Sequence, residues 1–164
     1  MVKAKPIGNE KEIELPRLSL EGKWEVARGN IIYFVVSGIT FAKSRGRSPE
    51  EFGADAGNVA VPYWRKGLGE VGEALSYFVK GLCENYQQFK GFEIEILRQS
   101  ATSVEARMKN FGEDGIREWK GSDVTVDEYL RFFEKKWEAI ANSLRLIYKQ
   151  TNRDDWTYFT VTRR

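Results

Sequence analysis

The chain has 164 residues, 41% hydrophobic and 30% charged, the proportions of one globular domain large enough to bury a sizeable core. It has no histidine and a single cysteine, Cys83, which removes the commonest general base, the commonest metal ligand and any intrachain disulfide. Its 26 basic and 24 acidic residues are interleaved to a net charge of +2, without the basic stripe that tracks phosphates, so no nucleic-acid partner is expected.

Residues 1–16 alternate charges around Pro6, Gly8 and Pro16 and read as a flexible arm ahead of one domain over 17–164. They lack the apolar stretch of a signal peptide. The most apolar run, Ile31 to Ala42, covers about 12 residues against the roughly 20 that span a bilayer. A cytoplasmic protein with no membrane partner is the expectation.

Helix one is expected over about 20–45, ending at Gly46. Trp24, Ala27, Ile31, Val35, Gly38 and Ala42 mark one stripe, yet Ile32, Phe34, Val36, Ile39 and Phe41 lie outside it. A helix apolar nearly all round is either central in the fold or shared with a second subunit, here a homodimer through helix one. Ser48-Pro49-Glu50-Glu51 combines a serine cap, a proline at the first helical position and a glutamate three after the serine, which starts helix two. That helix is expected to stop at Pro62. Its Gly53, Ala54, Ala56, Gly57 and Ala60 allow another helix to approach closely.

Helix three is expected over about 67–89, with Leu68, Val71, Leu75, Phe78, Leu82, Tyr86 and Phe89 on its buried stripe. The period then drops to two. Phe92, Ile94 and Ile96, and after a turn Val104, Ala106 and Met108, form an antiparallel hairpin with one face buried. Residues 110–123 read as a loop holding Ile116 and Trp119. Thr125 and Glu128 make a second capping box, with Val124 and Tyr129 as a hydrophobic staple, and helix four runs to about Asn142. Leu144, Leu146 and Tyr148, a turn at Asn152–Asp154, and Trp156 to Arg163 complete a second hairpin. The order ααα-ββ-α-ββ reads as α+β, a four-stranded antiparallel sheet with helices packed on one face.

The stretch Phe41-Ala42-Lys43-Ser44-Arg45-Gly46-Arg47-Ser48-Pro49-Glu50-Glu51-Phe52-Gly53 resembles the junction in bacterial proteins similar to L-2-amino-thiazoline-4-carboxylate hydrolase. The order of elements is also similar to that of 4-vinyl-reductase-type small-molecule-binding domains. The resemblance implies their fold. The hydrolases carry cysteines near the closing strands, where this chain has Thr157, Tyr158, Phe159 and Thr160, so their hydrolytic activity is not implied.

Gly67-Leu68-Gly69-Glu70-Val71-Gly72 has the letters of a dinucleotide fingerprint but neither a strand before it nor a parallel strand after it. A weaker reading gives Arg65, Lys66 and the free amides of a helix start an anion to hold. Glu50, Glu51, Glu70 and Glu73 lack the histidines of a di-iron bundle and read as solvated faces. Cys83 has no histidine to activate it and reads as a structural cysteine. Tyr33, Ser37 and Thr40 repeat at spacings of four and three inside the apolar helix; they either grip a ligand or bond the carbonyl four residues back.

Aromatics make up 13% of the chain. With the embedded hydroxyls they suggest an aromatic-lined pocket for an apolar or aromatic organic ligand, without cofactor or metal. Arg28, Tyr33, Ser37, Trp64, Lys66, Tyr77 and Trp137 are the candidate ligand-binding residues. Two alternatives stand beside this reading. One is a metal-independent hydrolase or lyase using carboxylate, tyrosine or lysine, with a buried acid of raised pKa among Glu25, Asp55 and Glu73. The other is a dimerising structural module.

Overall fold

The computed structural model describes residues 17–119 and 121–164, so the arm expected over 1–16 lies outside the described residues. Helix α1 (Leu20–Ser44) begins at Ser19, whose hydroxyl accepts the Gly22 amide, and ends just before Gly46, which takes the left-handed conformation at φ 73°. Its buried side chains are Ile32, Val36, Ile39 and Ala42. The expected stripe is thus turned by one position: Ile31 and Val35 are only partly buried and Ala27 is exposed. The roll is decided from outside the helix. Phe52 lies over Gly38 and Ile32 lies against Gly115, and these two contacts fix which side of the helix faces inward.

Helix α2 (Pro49–Val71) starts with the expected capping box between Ser48 and Glu51 but does not stop at Pro62. Proline removes one intrahelical hydrogen bond. The face made by Gly53, Gly57, Ala60, Trp64 and Leu68 nevertheless continues on both sides of it at spacings of four, three, four and four. That face lies along α5 (Val126–Ser143). A Cβ on Gly57 would sit 2.5 Å from the Lys136 carbonyl oxygen, and one on Gly53 would collide with the Phe132 carbonyl. Packing of a long face therefore outweighs the local break.

Helix α2 ends at Gly72, a left-handed cap at φ 76°. Helix α3 (Ala74–Tyr86) starts at Glu73, whose carboxylate accepts the Leu75 and Ser76 amides at 3.1 and 2.6 Å. The start expected near residue 67 is overturned, since Leu68 and Val71 belong to α2, but Leu75, Phe78, Leu82, Tyr86 and Phe89 are buried as their spacing predicts.

Strands β1 (Glu93–Gln99), β2 (Ser103–Lys109), β3 (Leu146–Arg153) and β4 (Trp156–Arg163) form one antiparallel sheet in the order β1-β2-β4-β3. Val104, Ala106 and Met108 alternate inward on β2, and Thr157, Phe159 and Val161 on β4. On the open face, cross-strand partners pair charges: Glu95 with Arg107 at 2.7 Å and Glu93 with Lys109 at 3.1 Å. Leu97 is left unpaired at a bulge in the edge strand β1, and it and Ile96 stay half-exposed.

The segment expected as loop over 110–123 contains a short helix, α4 (Glu113–Glu118). Helix α5 follows with the predicted Thr125–Glu128 box in place, and Val124 and Tyr129 are both buried. Helices α3 and α5 touch the sheet, α2 lies on α5, and α1 contacts α2, α4 and α5. The molecule is α+β, with helices packed against a four-stranded antiparallel sheet.

Candidate functional site

Two of the expected ligand-binding residues, Trp64 and Trp137, fill the core, and a third, Tyr77, packs partly buried against it. The Trp64 ring meets Tyr77, Phe78 and Trp137 at centroid distances of 5.4, 5.8 and 5.6 Å, the edge-to-face and tilted range in which rings pack without a gap. Trp137 is 1% exposed and donates its indole N–H to the Tyr86 hydroxyl at 2.5 Å. Glycines make the interlock possible. A Cβ on Gly81 would sit 2.5 Å from the Trp64 ring, and one on Gly67 would collide with the Tyr77 hydroxyl. Two of the three fingerprint-like glycines are thereby accounted for: Gly67 makes room for a ring and Gly72 caps a helix.

The same geometry corrects the anion reading of Arg65 and Lys66. Residues 65–70 lie inside α2, so no helix start with free amides exists there. Lys66 is exposed, and Arg65 Nε donates to the Ser143 carbonyl at 3.3 Å. Arg28 is paired with Glu25 at 2.8 Å and lies 5.8 Å over the Trp24 ring, away from the other candidates.

Tyr33 and Ser37 are brought together with Thr40 as the spacing predicts. They line an open groove of about 480 Å³ between the exposed side of α1 and the loop that leads into α5. Val36, Phe41 and Ser44 continue the α1 wall, and Trp119, Gly121, Ser122 and Asp123 form the other. Tyr33 stacks on Trp119 with centroids 5.5 Å apart and planes 20° from parallel. The Thr40 hydroxyl donates to Asp123 Oδ1 at 3.1 Å, and Lys43 reaches Asp123 at 3.3 Å and Glu128 at 2.9 Å. This lattice of Thr40, Lys43, Asp123 and Glu128 fixes the loop on α1 and leaves Ser37 and the Tyr33 hydroxyl without partners among the described residues. Its charges reinforce one another: the Glu128 and Asp123 carboxylates hold the Lys43 ammonium above its usual range, and Lys43 together with Thr40 holds Asp123 below its own. Trp119 was legible only as a ring in a loop. No pattern along the chain pairs it with Tyr33, 86 residues earlier.

The acids expected to carry a raised pKa are placed otherwise. Glu25 is paired with Arg28, and Asp55 is exposed and bridged to Arg47 at 2.6 Å. The Ser76 and Leu75 amides and Arg163 hold Glu73 below the ordinary carboxylate range. Burial instead pushes up Glu113, on α4, and Glu134, on α5. It also lowers Lys136, whose ammonium lies over the Phe133 and Trp137 rings at 5.3 and 5.2 Å and does not line the α1 groove. Cys83 is partly buried, and that burial raises its thiol pKa, which keeps it a poor nucleophile.

No described helix is long and apolar enough to cross a membrane. Comparison of the chain with protein-family models, with curated proteins and with solved structures finds no match.

Proposed function

We propose that the chain is a small-molecule-binding protein whose site is the groove between α1 and the 119–123 loop. The observation that carries the reading is the pairing of an aromatic wall with a row of hydroxyls. Tyr33, Phe41 and Trp119 supply ring surface, and Ser37, Thr40, Ser44 and Ser122 line the same groove. A volume of about 480 Å³ falls in the range of sites for organic ligands. The fitting ligand has a flat apolar or aromatic body to lie on Trp119 and one polar group to meet Ser37. The order of elements, similar to that of 4-vinyl-reductase-type small-molecule-binding domains, points to the same class of ligand. Titration with indole and with benzoate, followed by amide and indole ¹H–¹⁵N spectra, tests it. Saturable shifts at Trp119, Ser37 and Thr40 are expected. Shifts absent there, or scattered over the surface without saturation, remove the proposal.

A second reading rests on Phe34 and Phe41. They lie seven residues apart on α1 and are 70% and 61% exposed, on a run from Ile31 to Ala42 that carries no charge. A second copy laid across α1 about a two-fold axis would cover both rings without burying an unpaired charge. Sedimentation as a monomer at micromolar concentration disposes of it.

A further inference from the structure

Glu113 is the first residue of α4 and is only 6% exposed, yet its Oε2 is buried with no hydrogen-bond partner. It lines a second groove, of about 260 Å³, on a different side of α4 from the α1 contact. The walls are Val126 and Leu130 of α5 and Asn152 to Thr157 of the β3–β4 turn. A buried carboxylate oxygen without a hydrogen-bond partner is costly, and the nearby Glu113 and Phe111 amides and the Arg117 charge offset only part of that burial.

The other polar groups of the groove are already engaged. Thr157 donates to Asn152 Oδ1 at 2.8 Å, and Gln150 Nε2 also reaches that oxygen, at 3.4 Å. Arg117 is held by Asp114 at 2.8 Å and by Asp155 at 3.7 Å, and Arg153 by Asp154 at 3.6 Å. The rim arginines and aspartates are thus balanced against one another, and Glu113 at the floor leaves the groove with an excess of negative charge. An anion would meet Glu113 head on. Among the described residues no set of three carboxylates or thiols converges on one point, so the groove does not read as a metal site.

The turn residues Asp154 and Asp155 hold φ at 51° and 59°, the paired left-handed geometry of a tight hairpin turn, which sets their carboxylates at the rim of the groove. A donor with positive charge and a short apolar tail would answer that floor: the head on Glu113, the tail on Val126 and Leu130.

We infer that this groove is a binding site for a small organic cation, a primary amine or guanidinium on a short alkyl chain, with Glu113 as its anchor. The site is separate from the α1 groove, so either proposal can fail alone.

The test uses the full chain at pH 8 with n-butylammonium and n-butylguanidinium as probes and n-butanol and butyrate as controls. Saturable shifts of the Leu130, Asn152 and Thr157 amides are expected with the two cations and not with the controls. Affinity is expected to fall at least tenfold in Glu113→Gln and to be unchanged in Asp55→Asn. The inference is overturned if the cations give no saturable shift, if butanol or butyrate matches them, or if Glu113→Gln binds as tightly as the parent. Should Glu113→Gln not fold, as judged by circular dichroism, Glu113→Asp takes its place. It keeps the charge but draws it back by one methylene, and undiminished affinity there is equally fatal.

Discussion

Tyr33 on α1 and Trp119 ahead of α5 lie nearly parallel, 5.5 Å between ring centres and 20° between planes, and each is a wall of the same groove. Stacked rings of this kind contribute about 1 kcal/mol beyond the area they bury. Trp119→Ala is therefore expected to lower stability by at least about 1 kcal/mol, and to weaken an aromatic probe such as indole by tenfold or more. Thermal melts and the indole titration check the two effects separately. Normal indole affinity in the variant would place the ligand elsewhere.

The crossing of α2 and α5 depends on the absence of side chains at two positions. Adding a methyl at Gly57 brings it within 2.5 Å of the Lys136 carbonyl oxygen and 2.7 Å of the Ala139 Cβ. Both neighbours are hard to move, so Gly57→Ala is expected to cost about 1–3 kcal/mol despite the better helix propensity of alanine. Gly69→Ala, with nothing near its added methyl, is the control, and is expected to be neutral or slightly stabilising. Urea denaturation distinguishes them.

In the core, the Tyr86 hydroxyl is the acceptor for the Trp137 indole N–H at 2.5 Å, and both rings are almost wholly buried. Tyr86→Phe keeps the shape of the ring and strands the indole donor. A loss of about 1–3 kcal/mol is expected, the cost of an unsatisfied buried polar group. An unchanged denaturation midpoint would show that Trp137 finds another acceptor.

Glu113 makes stability depend on pH in a direction opposite to that of most carboxylates. Burial raises its pKa in the folded protein above that of the unfolded chain, so the native state holds the proton more tightly. Its contribution is fully present below the unfolded carboxylate pKa and is lost as pH rises through the folded one. Glu113→Gln removes this loss. The variant is expected to melt higher than the parent at pH 8, with the gap closing near pH 4. A parent that melts at or above the variant at pH 8 contradicts the account.

Glu73 behaves in the usual sense. The Ser76 and Leu75 amides and Arg163 lower its pKa, so its contribution is present above the unfolded pKa and disappears as pH falls through the folded one. Its main role is as the cap of α3, and Glu73→Ala is expected to cost about 1 kcal/mol at pH 7. A smaller difference between variant and parent at pH 3, followed by circular dichroism, completes the test.

Local signals along the chain determined the element types and most of their ends. Two capping boxes placed the starts of α2 and α5 because capping is satisfied within four residues. Strict alternation likewise marked which face of β2 is buried, since successive strand side chains point to opposite sides. Tertiary packing decided the rest. It carried α2 through Pro62, because the Gly53–Gly57 face buries more against α5 than one backbone bond is worth, and it rolled α1 by one position. It also sorted the rings. Trp64 and Trp137 interlock in the core with Tyr77 packed against it, while Tyr33 meets Trp119 at the surface, and one aromatic residue looks like another until distant chain segments are brought together. Glu113 is the clearest case. Nothing in Gly112-Glu113-Asp114 distinguishes it from any solvated acid; only the closure of α5 and the β3–β4 turn around it removes the water and leaves its carboxylate oxygen without a partner.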